Sequence, residues 1–367
     1  TQAVQLRSRE AHPFAQLRNF TPQRSGELRL YQAVREAVPV VDAAVCKLIR
    51  LSGGVKVLCD DLETQTALRT FLERVNVGRG QHGIEAFLSQ YLDSLLVYGG
   101  AVGEMVPAAG NRTLAALLCG RLEQVELREG ESPLDFRICG PDEHGSMAEL
   151  PYQELLLFTP LHPEAAHPYG VSMLRGIPFM ADILMKIYHT IGVNWERCGN
   201  VRFAVTCRDG DGNAAERGQL LASEWSRAMQ DTRSGSVRDF VAVGDVDIKV
   251  IGGDAPILDS QVPVRQILEQ LVARTGIPPF MLGLSWSSTE RMSTQQADLL
   301  TSEITAIRRS VEPALERVGE LWVRLHGFGG GVKIDWEDIN LQDIVEEAKA
   351  ELYRAQAESI RLGNQKK

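Results

Sequence analysis

"GIPPFMLGLSWSSTERMSTQQADLL", residues 276–300, is the stretch on which our interpretation of the fold depends. Its paired prolines favour an extended entry, and the three apolar residues that follow, 280–282, can anchor that entry to a core. From Gly283 to Met292 the chain has little to bury, because small hydroxyl residues, one tryptophan and a Glu–Arg pair dominate it. We therefore expect a loop that presents Trp286 to a partner or a neighbouring subunit; a poorly ordered connector is the alternative.

Helices are predicted on both sides of this loop. Apolar residues spaced by three and four predict helices over 262–275 and 293–326, the second with a kink at Pro313. An earlier helix is predicted over 172–198, where Pro178 is also suited to starting a second helical segment. Between the helices predicted over 172–198 and 262–275 lies a module with three predicted strands and a helix over 218–231, so a small α/β unit is inserted there.

The first half of the chain predicts a mixture of helices and strands. A helix over 27–52 should kink or break at Pro39, a strand should follow Gly53, and Asp61 should cap the next helix. A further helix is predicted over 83–98, and the alternating pattern over 101–158 predicts a small, mostly antiparallel sheet. The fold class is therefore α+β. Residues 1–26 are polar and basic and predict an extended arm or a disordered tail.

The totals limit the classes of protein that fit. A length of 367 residues allows two or three domains, and a net charge of −9 argues against a non-specific DNA-binding protein. An acidic protein that lets DNA pass without holding it remains compatible with this charge, because like charges repel. The six cysteines form no CxxC and no zinc-type spacing with histidine, which indicates a reducing compartment. The sequence shows neither a signal-peptide pattern nor a run of 18 apolar residues, so we expect a soluble protein made in a cytoplasm.

No motif for catalysis or cofactor binding is convincing. "GFGGGVK" at 327–333 lacks the Gly-Lys-Ser/Thr that opens a helix in a Walker A loop. "DGDGNAAERGQL" at 209–220 begins like a calcium loop but has Ala214 and Leu220 where that loop needs Gly and Glu. No nucleophile elbow is present. We therefore predict no catalytic residue, no metal site and no cofactor, and hence no enzyme.

Two other functions remain open from the residues alone. Carboxylates cluster at the end of the chain and could hold two metal ions in a nucleic-acid enzyme, although a solvated helix N-terminus explains them more simply. These carboxylates are Asp335, Glu337, Asp338, Asp343, Glu346 and Glu347. A monomeric adaptor or scaffold protein that binds a partner through 199–258 is the other alternative.

Three stretches, in this order, resemble the portal proteins of tailed, siphovirus-like bacteriophages. They are "YQAVREAVPVVDAAVCKLIRL" (31–51), "HPYGVSMLRGIPFMADILMKIYHTIGVNWERCG" (167–199) and "QILEQLVARTGIPPFMLGLSWSSTERMSTQQADLLTSEITAIRRSVEPALERV" (266–318). The third is the most specific, because it carries an Ile-Pro-Pro-x-x-Leu-Gly core before a hydroxyl-rich loop and a long helix. No single motif is diagnostic, and the resemblance rests on order and spacing over about residues 28–350.

The resemblance implies a portal-type architecture and role. It divides the chain into an N-terminal arm (1–26), the first part of a wing (27–175), a stem helix (176–198), a clip (199–258), a second stem helix (259–275), the rest of the wing with a tunnel loop (283–292) and a long kinked helix (276–340), and the start of a crown (341–367). It implies a dodecameric ring at one capsid vertex of a virion, assembled in the host bacterial cytoplasm. Double-stranded DNA would pass through the ring during packaging and ejection. The partners would be the large terminase subunit, a head–tail connector or adaptor protein, and the major capsid or scaffold protein.

The resemblance also implies site residues. The tunnel loop would face the channel with Ser285, Trp286, Ser287, Ser288, Thr289, Glu290 and Arg291. Its hydroxyls can touch phosphates without reading sequence, and the adjacent Glu–Arg pair keeps the loop nearly neutral, so DNA is not held by counterion release. Lys186, Lys249 and Arg265 are candidates for lumen-facing bases.

Overall fold

The computed structural model describes most of the chain, in two compact units. The described residues are 25–131, 135–142, 144–164, 167, 169–199, 202–207, 219, 223, 246–251, 260–284, 290–339 and 341. One unit comprises Thr1–Asp182 with Ile267–Lys367, and the other comprises Ile183–Gln266. The chain therefore passes from one unit to the other twice.

The helices among the described residues match most of the predicted ones. They are α1 (Ser25–Ala37), α2 (Pro39–Ser52), α3 (Leu62–Arg74), α4 (Ile84–Tyr98), α5 (Ile177–Gly199), α6 (Gln261–Thr275) and α7 (Glu290–Leu325). Short 3-10 turns lie at Leu122–Gln124, Gln153–Leu155 and Pro279–Leu282. Within the described part of the chain, no helix is long and apolar enough to cross a membrane.

The strands among the described residues form four sheets. They are β1 (Val55–Cys59), β2 (Asn76–Gly78), β3 (Gln81–His82), β4 (Gly100–Pro107), β5 (Leu114–Gly120), β6 (Glu126–Glu129), β7 (Phe136–Pro141), β8 (Met147–Glu149), β9 (Leu156–Pro160), β10 (Arg202–Cys207), β11 (Val246–Ile251) and β12 (Val332–Trp336). Their orders are β3-β2-β5-β4-β9, β6-β7-β8, β1-β12 and β10-β11. Only β2 and β5 pair in parallel among these described strands, so the mostly antiparallel sheet and the α+β class are confirmed.

Local signals account for the first helices. Val38 is extended, with φ −118° and ψ 95°, and Pro39 starts a new helix, so the predicted break at this proline is confirmed. The Asp61 side chain accepts a hydrogen bond from the Thr64 amide at 2.8 Å, which confirms the predicted cap of α3.

Helix α4 supplies the centre of the larger unit's core. Its residues Phe87, Tyr91 and Leu95 are at most 1% exposed and pack toward the five-stranded sheet. The Tyr91 hydroxyl donates to Thr159 Oγ1 at 2.9 Å, which satisfies its one polar group inside the core. Gly103 of β4 leaves room for the Phe87 ring, because a Cβ there would stand 3.1 Å from it.

Two predicted helix starts differ from the structure. Helix α5 begins at Ile177 rather than at 172, after Gly176 with φ 87° and after Ser172, whose hydroxyl accepts from the Leu174 amide. The helical segment predicted to start at Pro178 is confirmed, because this proline is the second residue of α5. Helix α7 begins at Glu290 rather than at 293. An acidic residue is favoured in the first turn of a helix by the macrodipole, so Glu290 belongs to the helix and not to the preceding loop.

The smaller unit contains the antiparallel pair β10–β11, with Ala204 opposite Lys249. This pair confirms two of the strands predicted in the inserted module. The predicted helix over 218–231 and the predicted last helix over 341–362 lie almost entirely outside the described residues, as do the calcium-loop-like stretch 209–220 and most of the arm 1–26.

Candidate functional site: the root of the 283–292 loop

The entry to the 283–292 loop is anchored in the core. Ile277 is fully buried and Met281, in the 3-10 turn, is 9% exposed. Gly283 ends the turn in the left-handed region at φ 74°, and the Leu284 amide donates to the Pro279 carbonyl at 3.0 Å. A glycine is suited to this position because a side chain would strain the backbone. The paired prolines and the apolar triplet thus have the anchoring role predicted for them.

The predicted channel-facing residues are placed only in part. Ser285, Trp286, Ser287, Ser288 and Thr289 lie outside the described residues. Glu290 and Arg291 form the first turn of α7. Whether these residues face a channel stays a prediction.

Arg274 ties the loop root to a distant segment. It lies in the last turn of α6, and its Nη2 donates to the Ser172 carbonyl at 2.8 Å, across 102 residues of sequence. Desolvation lowers the pKa of Arg274, and the nearby positive charge of Arg175 lowers it further. The guanidinium nevertheless stays charged at neutral pH, so this is a charge-assisted hydrogen bond.

Ser172 is buried and fully engaged. It is 4% exposed, its hydroxyl donates to the Val97 carbonyl at 2.5 Å, and the same oxygen accepts from the Leu174 amide at 2.9 Å. Its carbonyl accepts from the Arg175 amide as well as from Arg274. One serine therefore joins the end of α4, the approach to α5 and the end of α6.

Two glycines let the backbone cross closely beside this serine. Gly99 ends α4 at φ 83° and Gly170 adopts φ 96°. A Cβ on Gly170 would come closer to the Gly99 carbonyl oxygen than real atoms approach. The Leu161 amide donates to the Gly99 carbonyl at 2.8 Å, and the Val171 amide donates to the Leu161 carbonyl at 2.7 Å. The Tyr-Gly-x-Ser segment of the sequence is thus a tight backbone crossing.

Arg308 fastens the helix that follows the loop. It is 7% exposed on α7 and donates to the carbonyls of Gly53 at 2.6 Å and Glu337 at 2.7 Å. Longer contacts reach the carbonyls of Leu51 and Ser52. A cation at the C-terminus of α2 satisfies carbonyls that have no partner inside that helix and complements its dipole.

Sequence reasoning missed Arg274, Ser172 and Arg308. Only Arg308 had a recognisable signal, because it lies in the apolar stripe of α7 between Ile307 and Val311. A charged residue on a buried face normally has a partner.

The predicted lumen-facing bases all lie in the smaller unit. Lys186 is exposed on α5, Arg265 is exposed on α6, and Lys249 lies on β11. Their orientation toward a channel stays a prediction.

Of the six carboxylates that a two-metal site would need, Asp335, Glu337 and Asp338 lie within the described residues. Glu337 forms an ion pair with Lys56 at 3.2 Å, and its amide donates to the Gly54 carbonyl. Asp343, Glu346 and Glu347 lie outside the described residues. Among the residues that the structure describes, no group of three His, Cys, Asp or Glu side chains could hold a metal ion.

Comparison with known proteins finds similarity of structure. No family model and no curated protein matches the chain. A chain of the virion of the native gene transfer agent (GTA) particle aligns with a TM-score of 0.64 and 16% identity, covering 92% of this chain and 91% of that chain. A chain of the neck of the native GTA particle, computed with C12 symmetry, aligns with a TM-score of 0.61 and 16% identity, covering 81% and 80%. A HK97-family phage portal protein from Corynebacterium diphtheriae gives 0.42 and 10% identity, covering 86% and 95%.

At these identities the comparisons establish the fold. The resemblance seen in the sequence is confirmed at that level: this chain folds like a chain of the GTA virion over 92% of its length and like a chain of the GTA neck over 81%.

Proposed function

We propose that the chain is a portal protein, which forms a closed ring at one vertex of a phage-type capsid and serves as the conduit for double-stranded DNA. The observation that carries this proposal is the shared fold with a chain of the GTA virion over 92% of this chain, and with a chain of the GTA neck computed with C12 symmetry over 81% of it. A heterologous contact repeated around an axis closes into such a ring, and we propose a dodecamer.

The division into two units agrees with the proposed wing, stem and clip. The chain crosses between its units within α5, after Asp182, and within α6, before Ile267. These are the helices that we assign to the stem. The module between them is the proposed clip, which we expect to dock the large terminase subunit and later a head–tail connector protein.

An exposed apolar stripe on α5 supports assembly with further copies. Apolar residues recur at spacings of three and four from Ile177 to Trp195. The first members, Ile177, Ala181 and Leu184, are at most 4% exposed, whereas Tyr188 is 46% and Trp195 63% exposed. Large apolar side chains that are exposed to solvent along one face of a helix are typical of an interface.

The proposed role of the 283–292 loop follows from its anchoring. The segment that enters the loop is anchored at Ile277 and Met281, and the helix that follows it is fastened by Arg308, so the described segments on both sides of the loop are held in the larger unit. In a ring these loops would converge on the axis, where hydroxyls touch phosphates weakly. The ring would act without catalysis, with packaging energy from a separate terminase, and would reside in the virion after assembly in the host bacterial cytoplasm with capsid or scaffold protein.

The test is the mass and shape of the purified chain, by light scattering and negative-stain images. We expect a ring with an open centre and about a dozen copies. A chain that stays monomeric, both alone and when co-expressed with the capsid and scaffold proteins of its particle, would contradict the proposal.

A further inference from the structure

Both chain crossings between the two units are tied to the same residue, Ser172. The approach to α5 begins at this serine, whose hydroxyl bonds to Val97 at the end of α4. The end of α6 returns to it through Arg274, whose Nη2 lies 2.8 Å from the serine carbonyl oxygen. Two helices far apart in sequence therefore share one anchoring point in the larger unit.

Ser172 is held tightly by burial and hydrogen bonds. Ser172 is 4% exposed and its hydroxyl both donates and accepts. The Met173 amide donates to the Leu96 carbonyl at 3.1 Å. Beside them the backbone crosses at Gly99 and Gly170 with no space for a Cβ. A shift of the serine carbonyl must therefore move the start of α5 with it, because packed interiors respond by discrete rearrangement rather than gradual deformation.

Arg274 is also joined directly to the loop root. The Gly276 amide donates to the Val272 carbonyl at 2.9 Å, within the same last turn of α6. Ile277 then enters the core fully buried, and the 3-10 turn begins two residues later. Thr275, beside Arg274, is 8% exposed. Arg274, Gly276 and Gly283 are exposed, but the path from Arg274 to Leu284 is anchored by the buried Ile277 and Met281 and by the backbone hydrogen bonds of the last turn of α6 and of the 3-10 turn.

Arg274 and Arg175 lie close together but donate to different acceptors. Arg175 makes two hydrogen bonds to the Glu164 carboxylate, at 2.8 and 3.0 Å. Arg274 reaches the Ser172 carbonyl instead. The two guanidinium groups thus lie in one cluster but bind separate acceptors, which provides a matched pair of variants.

We infer that Arg274 is a positioning residue that couples the root of the 283–292 loop to the start of α5 through the Ser172 carbonyl. Under the proposed function, on which this step rests, a push on the loop by passing DNA reaches the stem helix through this bond. The root of the loop and the start of α5, which both belong to the larger unit, then move together rather than independently.

Hydrogen exchange of the purified full-length chain tests the coupling. In Arg274→Gln the neutral amide cannot make the charge-assisted bond. We expect exchange of the Met281 and Leu284 amides and of the Leu174 and Ile177 amides to accelerate by the same factor, about ten-fold or more. Equal acceleration of exchange in the loop root and at the start of α5 indicates that the two segments open together. A purely local role of Arg274 would not produce it.

Arg175→Gln is the matched control, because it breaks the pair with Glu164 and leaves the Ser172 carbonyl bond in place. We expect faster exchange only near residues 164–167. Acceleration of the loop-root amides alone in Arg274→Gln, or of neither segment, would overturn the inference.

If Arg274→Gln unfolds globally, which faster exchange of the α4 amides would reveal, Arg274→Lys takes its place. Lysine keeps the charge on a single ammonium, so a smaller rise is expected, again equal in both segments. Unequal rises would contradict the coupling. Exchange is measured whatever the assembly state, so the two proposals fail separately. Equal exchange factors in a chain that stays monomeric even with its capsid and scaffold proteins would contradict the portal proposal and leave the coupling. A ring with unequal factors would do the reverse.

Discussion

At the residue scale, the described structure depends on a few polar groups placed against backbone carbonyls. The Arg308 guanidinium donates hydrogen bonds to several carbonyls at the end of α2, including those of Leu51 and Gly53. It also lies 5.0 Å from the centre of the Trp336 ring. Burial lowers the pKa of Arg308, against the effect of the carboxylates nearby. A buried arginine is retained only when its hydrogen bonds offset the loss of water.

Arg308→Met should lower the free energy of unfolding by about 3 kcal/mol, because it leaves carbonyls of α2 and of Glu337 without a donor. Urea denaturation followed by circular dichroism measures this. Arg309→Met, at the exposed neighbouring position, should change it by less than about 0.5 kcal/mol. An equal loss of unfolding free energy in both variants would show that the hydrogen bonds of Arg308 to the α2 carbonyls do not stabilise the fold as we describe.

Gly170→Ala should be far more harmful than Gly176→Ala, although both glycines have positive φ, 96° and 87°. A Cβ at Gly170 collides with the backbone of Gly99 and Leu161, whereas one at Gly176 meets nothing within 4 Å. We expect a loss above about 4 kcal/mol at Gly170 and about 1 kcal/mol at Gly176. Thermal unfolding of the two variants decides; similar midpoints would refute the tight crossing.

At the element scale, α5 and α7 differ in how the chain covers them. Helix α7 buries its stripe along most of its length, from Leu300 through Val311 to Trp322. Its interior proline, Pro313, is exposed on the other face. The α5 stripe loses its cover from Tyr188 onward. Under the proposed function, a neighbouring subunit would cover this part of α5.

The double variant Tyr188→Glu, Trp195→Glu should leave the fold intact and abolish assembly, because a charge on this stripe cannot be desolvated in an interface. Light scattering is the measurement, with circular dichroism to confirm folding. Thr190→Glu, an exposed position on the opposite side of α5, should assemble like the unmodified chain. Assembly of the double variant would rule out this face as a subunit contact.

At the scale of the whole molecule, the net charge of −9 should lower the affinity of the protein for DNA, because like charges repel. A conduit works best when it does not bind what passes through it. We expect the purified chain to bind duplex DNA more weakly than a Kd of about 10⁻⁴ M at about 0.15 M salt, the weak end of non-specific binding. Fluorescence anisotropy of a labelled duplex measures this. Micromolar binding with a steep salt dependence would instead indicate a DNA-holding surface.

The accuracy of the sequence predictions followed the range of the interactions involved. The break at Pro39 and the cap at Asp61 were predicted because each depends on residues within one helical turn. The predicted start of a helix at 172 was wrong because the Ser172 hydroxyl bonds to the Val97 carbonyl, 75 residues earlier, whereas Pro178, a local signal, marked the actual start at Ile177. The start of the loop over 283–292 was predicted correctly, whereas the helix that follows it begins at Glu290, three residues before the predicted position.

The sequence by itself determined the α+β class, the positions of most helices and strands, and the portal resemblance, since periodicity, turn residues and motif order are properties of short stretches. Only the tertiary structure decided that Arg274 and Ser172 meet, that Gly99 and Gly170 cross, and that Arg308 closes the end of α2. Such contacts join residues separated by 70 to more than 250 positions. They form because buried backbone carbonyls must find donors once the core has assembled, and no local pattern specifies which donor will arrive.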